Sequence, residues 1–139
     1  MTMSEKFFSA SWVREAIEAE RSVSDEIYKR FRNPESFTHI LAFDVEDHPG
    51  LSTYLEYVRG RAKSWTATPI DENLVWARFG AKLDVWRSAA QGQAKASNLV
   101  LSRKIKLLKG SLIDAVAAAS PFNRLVRSWG DVDTDWHVM

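Results

Sequence analysis

The pattern of apolar and polar residues begins with a helical segment. From Ser11 the apolar residues recur at a spacing of three or four, with charged residues between them. Asn33-Pro34 ends this pattern, because the residue before a proline is disfavoured in the helical conformation. Ser24-Asp25 interrupts it, since both residue types prefer caps and turns to helix interiors. The sequence therefore predicts one helix or two over residues 11–33.

A period of two then replaces the helical spacing. Residues 37–47 alternate between apolar and polar side chains, which is typical of a half-buried strand. His48-Pro49-Gly50 marks a turn, and residues 51–59 alternate again before Gly60 closes this second strand. Two further short strands are predicted at residues 64–68 and 73–79. These segments predict an antiparallel meander.

The second half of the chain returns to helices, with one more strand. Helical spacing after Gly80 stops at Gln91-Gly92, and residues 98–101 form a short helical connection. Residues 103–109 alternate and predict the last strand. Ser111 with Asp114 resembles a capping box, so a helix is expected over residues 111–120. Pro121 permits a new helix start, and a second helix is expected over residues 122–129.

Composition limits the class of protein. The 139 residues, 45% hydrophobic and 27% charged, suit one globular domain spanning residues 1–139. No apolar run approaches the roughly 20 residues of a membrane span, and the first residues lack the features of a signal peptide. The absence of cysteine excludes disulfides and thiolate chemistry and is compatible with a reducing compartment. We therefore expect a cytoplasmic protein.

Charge is distributed unevenly along the chain. Residues 82–129 contain nine Lys and Arg and two Asp, a balance of +7, although the whole chain carries +1. Such a basic region favours an anionic membrane surface, and ordinary solvation of a charged face is the alternative. Nucleic acid is not expected, because strand alternation divides the charges between two faces and no aromatic platform accompanies them. The cations predicted to contact the membrane are Arg103, Lys104, Lys106 and Lys109.

Three stretches of the chain and a closing TDW at residues 134–136 carry a resemblance to a known family. The stretches are ILAFDVEDHPGLSTYLEYVRGRAKSW, ENLVWARFGAKLDVWRSAAQG and LVLSRKIKLLKGSL. Together with the order of the elements they resemble the sterol carrier protein 2 (SCP2-like) family over about residues 11–136. Ser102 and Ser111 depart from the family pattern, which usually has glycine before the last strand and often an acidic or amide residue after the following glycine.

This resemblance implies an α+β fold, with a five-stranded, mostly antiparallel sheet covered by helices. It also implies an apolar tunnel that holds a lipid, a fatty acyl group or a sterol-like molecule, and no chemistry of its own. The apolar residues of the last strand and of the helices are compatible with lining such a tunnel, and they are equally compatible with a filled core. The candidate lining residues are Leu83, Trp86, Ile105, Leu107, Leu112, Ile113, Val116, Phe122 and Val126.

No catalytic or metal-binding motif is found in the sequence. His39, His48 and His137 lack metal-ligand spacing, and the alternating aspartates at residues 131–135 lack the glycine and glutamate of a calcium loop. We therefore expect no metal and no cofactor. Two alternatives to a carrier stay open: an enzyme or pathway accessory with a polar group in the cavity, and a structural domain that forms a homodimer. The candidate polar groups are Arg78, Asp84 and His39.

Overall fold

The computed structural model describes residues 4–138. A two-residue strand, β1 (Glu5–Lys6), precedes helices α1 (Ala10–Ser22) and α2 (Ser24–Arg30). The predicted interruption is confirmed, because α1 ends at Ser22 and α2 begins at Ser24. Ser9 caps α1 by accepting a hydrogen bond from the Trp12 backbone N–H at 3.2 Å. The helical segment therefore forms two helices.

Five strands form the main sheet, in the spatial order β4-β3-β2-β5-β6. Strands β2, β3 and β4 form the predicted antiparallel hairpins, but β5 pairs in parallel with β2. The predicted meander is therefore wrong beyond β4. Strand β5 is mostly buried, whereas β4 is mostly exposed, so an interior position suits β5 and an edge suits β4. The strands are β2 (His39–Val45), β3 (Ser52–Val58), β4 (Arg61–Thr66), β5 (Val75–Ala81) and β6 (Ile105–Lys109).

The helices of the second half pack on one face of this sheet. They are α3 (Leu83–Ala90), α4 (Ala96–Leu101), α5 (Leu112–Ala117) and α6 (Ala119–Ser128). The Ser111 hydroxyl accepts from the Asp114 backbone N–H at 3.3 Å, which confirms the predicted cap. The predicted break at Pro121 is wrong, because α5 and α6 separate at Ala118. Pro121 lies in the first turn of α6, where the missing N–H breaks no helical hydrogen bond.

The core between sheet and helices is centred on Trp129, which follows α6. Six aromatic rings lie with their centroids 5.3 to 6.0 Å from the Trp129 ring. The N-terminal segment contributes three of these rings and is held in place by β1, which pairs in parallel with β7 (Thr134–Asp135). The surrounding residues are Phe7, Phe8, Trp12, Phe43, Trp65 and Trp86.

Candidate functional site

An apolar pocket lies between the sheet and helices α2, α5 and α6. Its volume is about 30 Å³, and its exposed lining is almost entirely hydrocarbon. A water molecule needs roughly 10–15 Å³ and a drug-sized ligand roughly 300–1,000 Å³, so the pocket as it stands is too small for a lipid. We call this the inner pocket. It is lined by Ile27, Phe31, Phe37, Leu41, Tyr57, Trp76, Phe79, Ala115, Ala118, Pro121, Phe122 and Leu125.

A second apolar recess, the outer pocket, adjoins the inner pocket beneath α5. Its volume is about 100 Å³, and it shares Phe79, Ala115 and Phe122 with the inner pocket. Leu101 and Val116 lie at its outer side and are 63% and 50% exposed. The two pockets therefore form one apolar region that extends from the sheet to the surface beside α5.

Helix α5 covers this region but is weakly anchored. None of its six residues is buried, and Gly110 precedes its capping residue Ser111. Gly110 has a φ of +110°, a conformation that glycine adopts far more readily than other residues. A short helix with few buried groups opens at low free-energy cost compared with core elements. Displacement of α5 is thus the simplest way to enlarge the pocket.

The register of β5 places a large aromatic side chain at the pocket. The pairing of β2 with β5 shifts by one residue, from Ile40 opposite Val75 to Leu41 opposite Ala77. Trp76 lies at this irregularity and lines the inner pocket, although regular alternation would place it with Arg78 on the other sheet face. The alternation of apolar and polar residues in the sequence does not reveal a β-bulge. Sequence analysis therefore predicted the strand but did not identify Trp76 as a lining residue.

The predicted lining residues divide into three groups. Trp86, Ile105 and Val126 are fully buried in the core, while Leu83 and Leu107 pack against it partly buried. Phe122 lines both pockets, and Val116 lines the outer pocket. Leu112 and Ile113 are 53% and 81% exposed on α5. Ile105, Leu107 and Leu112 lie along a groove beside the β6 edge, so the structure brings only part of the set to the pockets.

Several lining residues were not among those predicted. Ile27 on α2 and Phe31, the residue directly after α2, lie four residues apart in the sequence, and sequence analysis assigned that spacing to a helix and not to a pocket. Phe37, which precedes β2, lines the same pocket. Helical spacing identifies an apolar face but does not distinguish a face against a filled core from a face against a cavity.

The three candidate catalytic side chains do not converge. Arg78 lies on the sheet face opposite the helices and donates to Asp44 at 2.5 Å and to Glu72 at 2.5 and 3.1 Å. Asp84 is exposed on α3. His39 stacks on Trp76 with ring centroids 4.2 Å apart, and partial burial lowers the pKa of His39 below 6.5. None of these three side chains is among the residues that line the inner and outer pockets.

The four predicted membrane-contacting cations differ in their environments. Lys106 forms an ion pair with Glu46 at 3.0 Å, and the Lys109 ammonium donates to the Glu72 carbonyl. Arg103 and Lys104, in the turn between α4 and β6, are exposed and have no ion pair within residues 4–138. Two of the four cations are thus available to an external anion.

The described residues contain no group of three or more His, Asp or Glu side chains placed to hold a metal ion. Nor does any helix within residues 4–138 have the length and hydropathy needed to cross a membrane. Tyr57 brings a hydroxyl-bearing side chain to the inner pocket, but that hydroxyl already donates to Glu20 at 2.7 Å. The arrangement suits the binding of an apolar molecule.

The architecture is a five-stranded mixed sheet with helices on one face, an α+β class of fold. More particularly, the fold is SCP2-like, as the sequence resemblance predicted. A crystal structure of sterol carrier protein 2 matches with a TM-score of 0.75 and 16% identity, covering 91% of this chain and 99% of the other. No protein-family model and no curated protein matches the sequence significantly.

Two further solved structures show the same fold. A conserved hypothetical protein from Thermus thermophilus matches with a TM-score of 0.65 and 16% identity, covering 91% of this chain and 92% of the other. Sterol carrier protein 2 from Yarrowia lipolytica, in its apo form, matches with a TM-score of 0.52 and 13% identity, covering 91% and 99%. At these identities the similarity is one of fold.

Proposed function

We propose that this protein binds a hydrophobic ligand, of the lipid, fatty acyl or sterol-like class, between its sheet and helices α5 and α6. The observation that carries the proposal is the pair of adjoining apolar pockets beneath α5, in a fold shared with sterol carrier proteins. A carrier needs no catalytic group, and the exposed lining of both pockets is mostly hydrocarbon, which supports this role. The lack of cysteine is compatible with action in the cytoplasm.

Ligand binding requires the pockets to enlarge. Their volumes of about 30 and 100 Å³ lie below the range of ligand sites, so a lipid chain must displace part of the cover. Helix α5 is the element best suited to move, because none of its residues is buried and it contacts the surrounding helices mainly through α6. Ala115, on the inner side of α5, would then face the bound chain.

The test is saturable binding of the fluorescent fatty acid 12-NBD-stearate, together with native mass spectrometry of the purified protein for retained lipid. Ala115→Phe fills the region shared by the two pockets, and Ile113→Phe is the matched control, because Ile113 is 81% exposed on the same helix and lines neither pocket. We expect Ala115→Phe to weaken binding by about tenfold or more, because the added ring occupies the space of a well-packed apolar part of the ligand, and Ile113→Phe to leave binding nearly unchanged. The proposal fails if the wild type shows no saturable binding or if both variants bind equally well.

A further inference from the structure

An exposed apolar surface surrounds the outer pocket. It comprises Leu101 at the end of α4 and Leu112, Ile113 and Val116 on α5, and we call it the apolar rim. These side chains are 63%, 53%, 81% and 50% exposed. Among residues 4–138 the other large apolar side chains with comparable exposure are Leu74 and Leu108, so the rim concentrates this property in one place. Contiguous exposed apolar patches mark interaction sites more often than solvated surface.

Positive charge lies beside the apolar rim. Arg103 and Lys106 line the same groove as Leu101 and Leu112, and Lys104 is their neighbour in the chain. Within the described residues Arg103 and Lys104 form no ion pair, and Lys106 is engaged by Glu46. An exposed apolar surface with adjacent free cations matches the chemistry of an anionic lipid surface, where apolar side chains enter the acyl boundary and cations meet headgroups.

We propose that the apolar rim docks on an anionic bilayer and that docking places the outer pocket directly against the lipid. This inference rests on the proposed function, since the same α5 that presents Ile113 outward covers the pocket through Ala115. A second copy of this chain is a poorer occupant. A twofold contact whose axis passes beside Leu101 would bring the Arg103-Lys104 turns of the two copies together, where like charges repel.

The experiment measures sedimentation of the purified full chain with sucrose-loaded vesicles. One set is phosphatidylcholine alone, and the other contains about 30% phosphatidylserine, a charge typical of cytoplasmic leaflets. Ile113→Asp removes the most exposed rim side chain, and Leu74→Asp is the matched control, because Leu74 is 61% exposed and lines neither the outer pocket nor the groove beside the rim. The pair Arg103→Gln and Lys104→Gln removes the free charge.

We expect the wild type to bind the anionic vesicles, Ile113→Asp to reduce the bound fraction about tenfold, and Leu74→Asp to bind like the wild type. The double glutamine variant should lose the preference for phosphatidylserine. Equal binding of Ile113→Asp and Leu74→Asp overturns the proposal. So does a wild-type dimer, measured by light scattering, that Ile113→Asp converts to a monomer, because a second copy would then occupy the rim.

The docking proposal and the carrier proposal can be overturned independently of each other. Binding of 12-NBD-stearate is measured in solution without vesicles, where Ile113→Asp should behave like the wild type because its side chain points away from the pockets. Fatty acid binding without vesicle binding overturns the docking proposal and leaves the carrier function standing. Vesicle binding without fatty acid binding overturns the carrier function and leaves the rim as a membrane-binding surface.

Discussion

The hydroxyl of Tyr57 on β3 donates a 2.7 Å hydrogen bond to Glu20 Oε2 on α1, and both side chains are buried. The second carboxylate oxygen, Oε1, has no hydrogen-bond partner within residues 4–138. Burial raises the pKa of Glu20 above its ordinary 4.5, although the Tyr57 hydrogen bond acts in the opposite direction. Burial, and then the charge of Glu20, raises the pKa of Tyr57 well above 10.0. A buried acid therefore joins α1 to the sheet.

We expect Glu20→Gln to become more stable relative to the wild type as pH rises. The folded state of the wild type holds the Glu20 proton more tightly than the unfolded state, so its stability falls as pH increases from about 4.5 through the raised folded pKa. The amide has no charge to lose and can still accept from Tyr57. Urea unfolding between pH 4 and pH 8 measures the difference, and parallel pH profiles for the two proteins would contradict the argument.

Tyr57→Phe provides the complementary change. It removes the hydrogen bond that stabilises the ionised carboxylate and leaves that group buried with no donor, which costs about 1–3 kcal/mol of stability. The loss should be larger at pH 8 than at pH 4, where Glu20 is protonated and no buried charge needs a donor. A loss independent of pH would assign the effect to packing alone.

Gly110, between β6 and α5, supports a prediction about backbone conformation. Its φ is +110°, and an added Cβ would lie 3.0 Å from the Trp76 carbonyl oxygen and 3.1 Å from the Ala77 Cβ. Gly50 has a φ of +88° but open space around it, so Gly50→Ala isolates the backbone cost. We expect Gly50→Ala to lower the free energy of unfolding by about 1–2 kcal/mol and Gly110→Ala by about 1 kcal/mol more. Equal losses in urea unfolding would show that the close approach is unimportant.

Local signals in the sequence predicted most elements, and long-range relationships account for what was missed. The break before Ser24 and the Ser111 cap are properties of a few neighbouring residues, so they were predictable. The partner of β5 is not, because alternation identifies a strand without naming its neighbour. Phe7 and Phe8 follow a two-residue strand, which is too short for any period to appear.

The candidate site was harder to predict than the fold for a related reason. Ile113 and Ala115 lie on the same six-residue helix, and only the packed structure shows that one faces outward and the other the pockets. Apolar spacing on α5 predicts an amphipathic face whether the neighbour is a core, a ligand or a membrane. The residues that line the inner pocket come from segments throughout the chain, including α2, β2, β3, β5, α5 and α6, and no local pattern unites them.

Arg78 carries a prediction that separates structure from ligand binding. Its side chain is 16% exposed and donates to Asp44 and Glu72, on the sheet face opposite the pockets. Arg78→Met should lower the free energy of unfolding by about 1–3 kcal/mol, because charged hydrogen bonds are lost and Asp44 is left partly buried. Binding of 12-NBD-stearate should not change. Arg78→Lys should recover part of the stability, since lysine restores the positive charge but cannot form the bidentate hydrogen bonds of a guanidinium. A loss of binding in the folded Met variant would contradict this assignment.

Thr134 anchors the C-terminal segment to α1 through one hydrogen bond. The buried Trp12 side chain donates from Nε1 to Thr134 Oγ1 at 2.9 Å, beside the pairing of β1 with β7. Thr134→Val keeps the shape of the side chain but leaves the indole N–H without an acceptor, so we expect a loss of about 1–3 kcal/mol in urea unfolding. Thr134→Ser keeps the acceptor and should lose less stability.

Because Trp12 contacts Trp129 with ring centroids 5.6 Å apart, the valine variant should also change the near-ultraviolet circular dichroism. A loss confined to the serine variant would show that the methyl group, and not the hydroxyl, holds this segment in place.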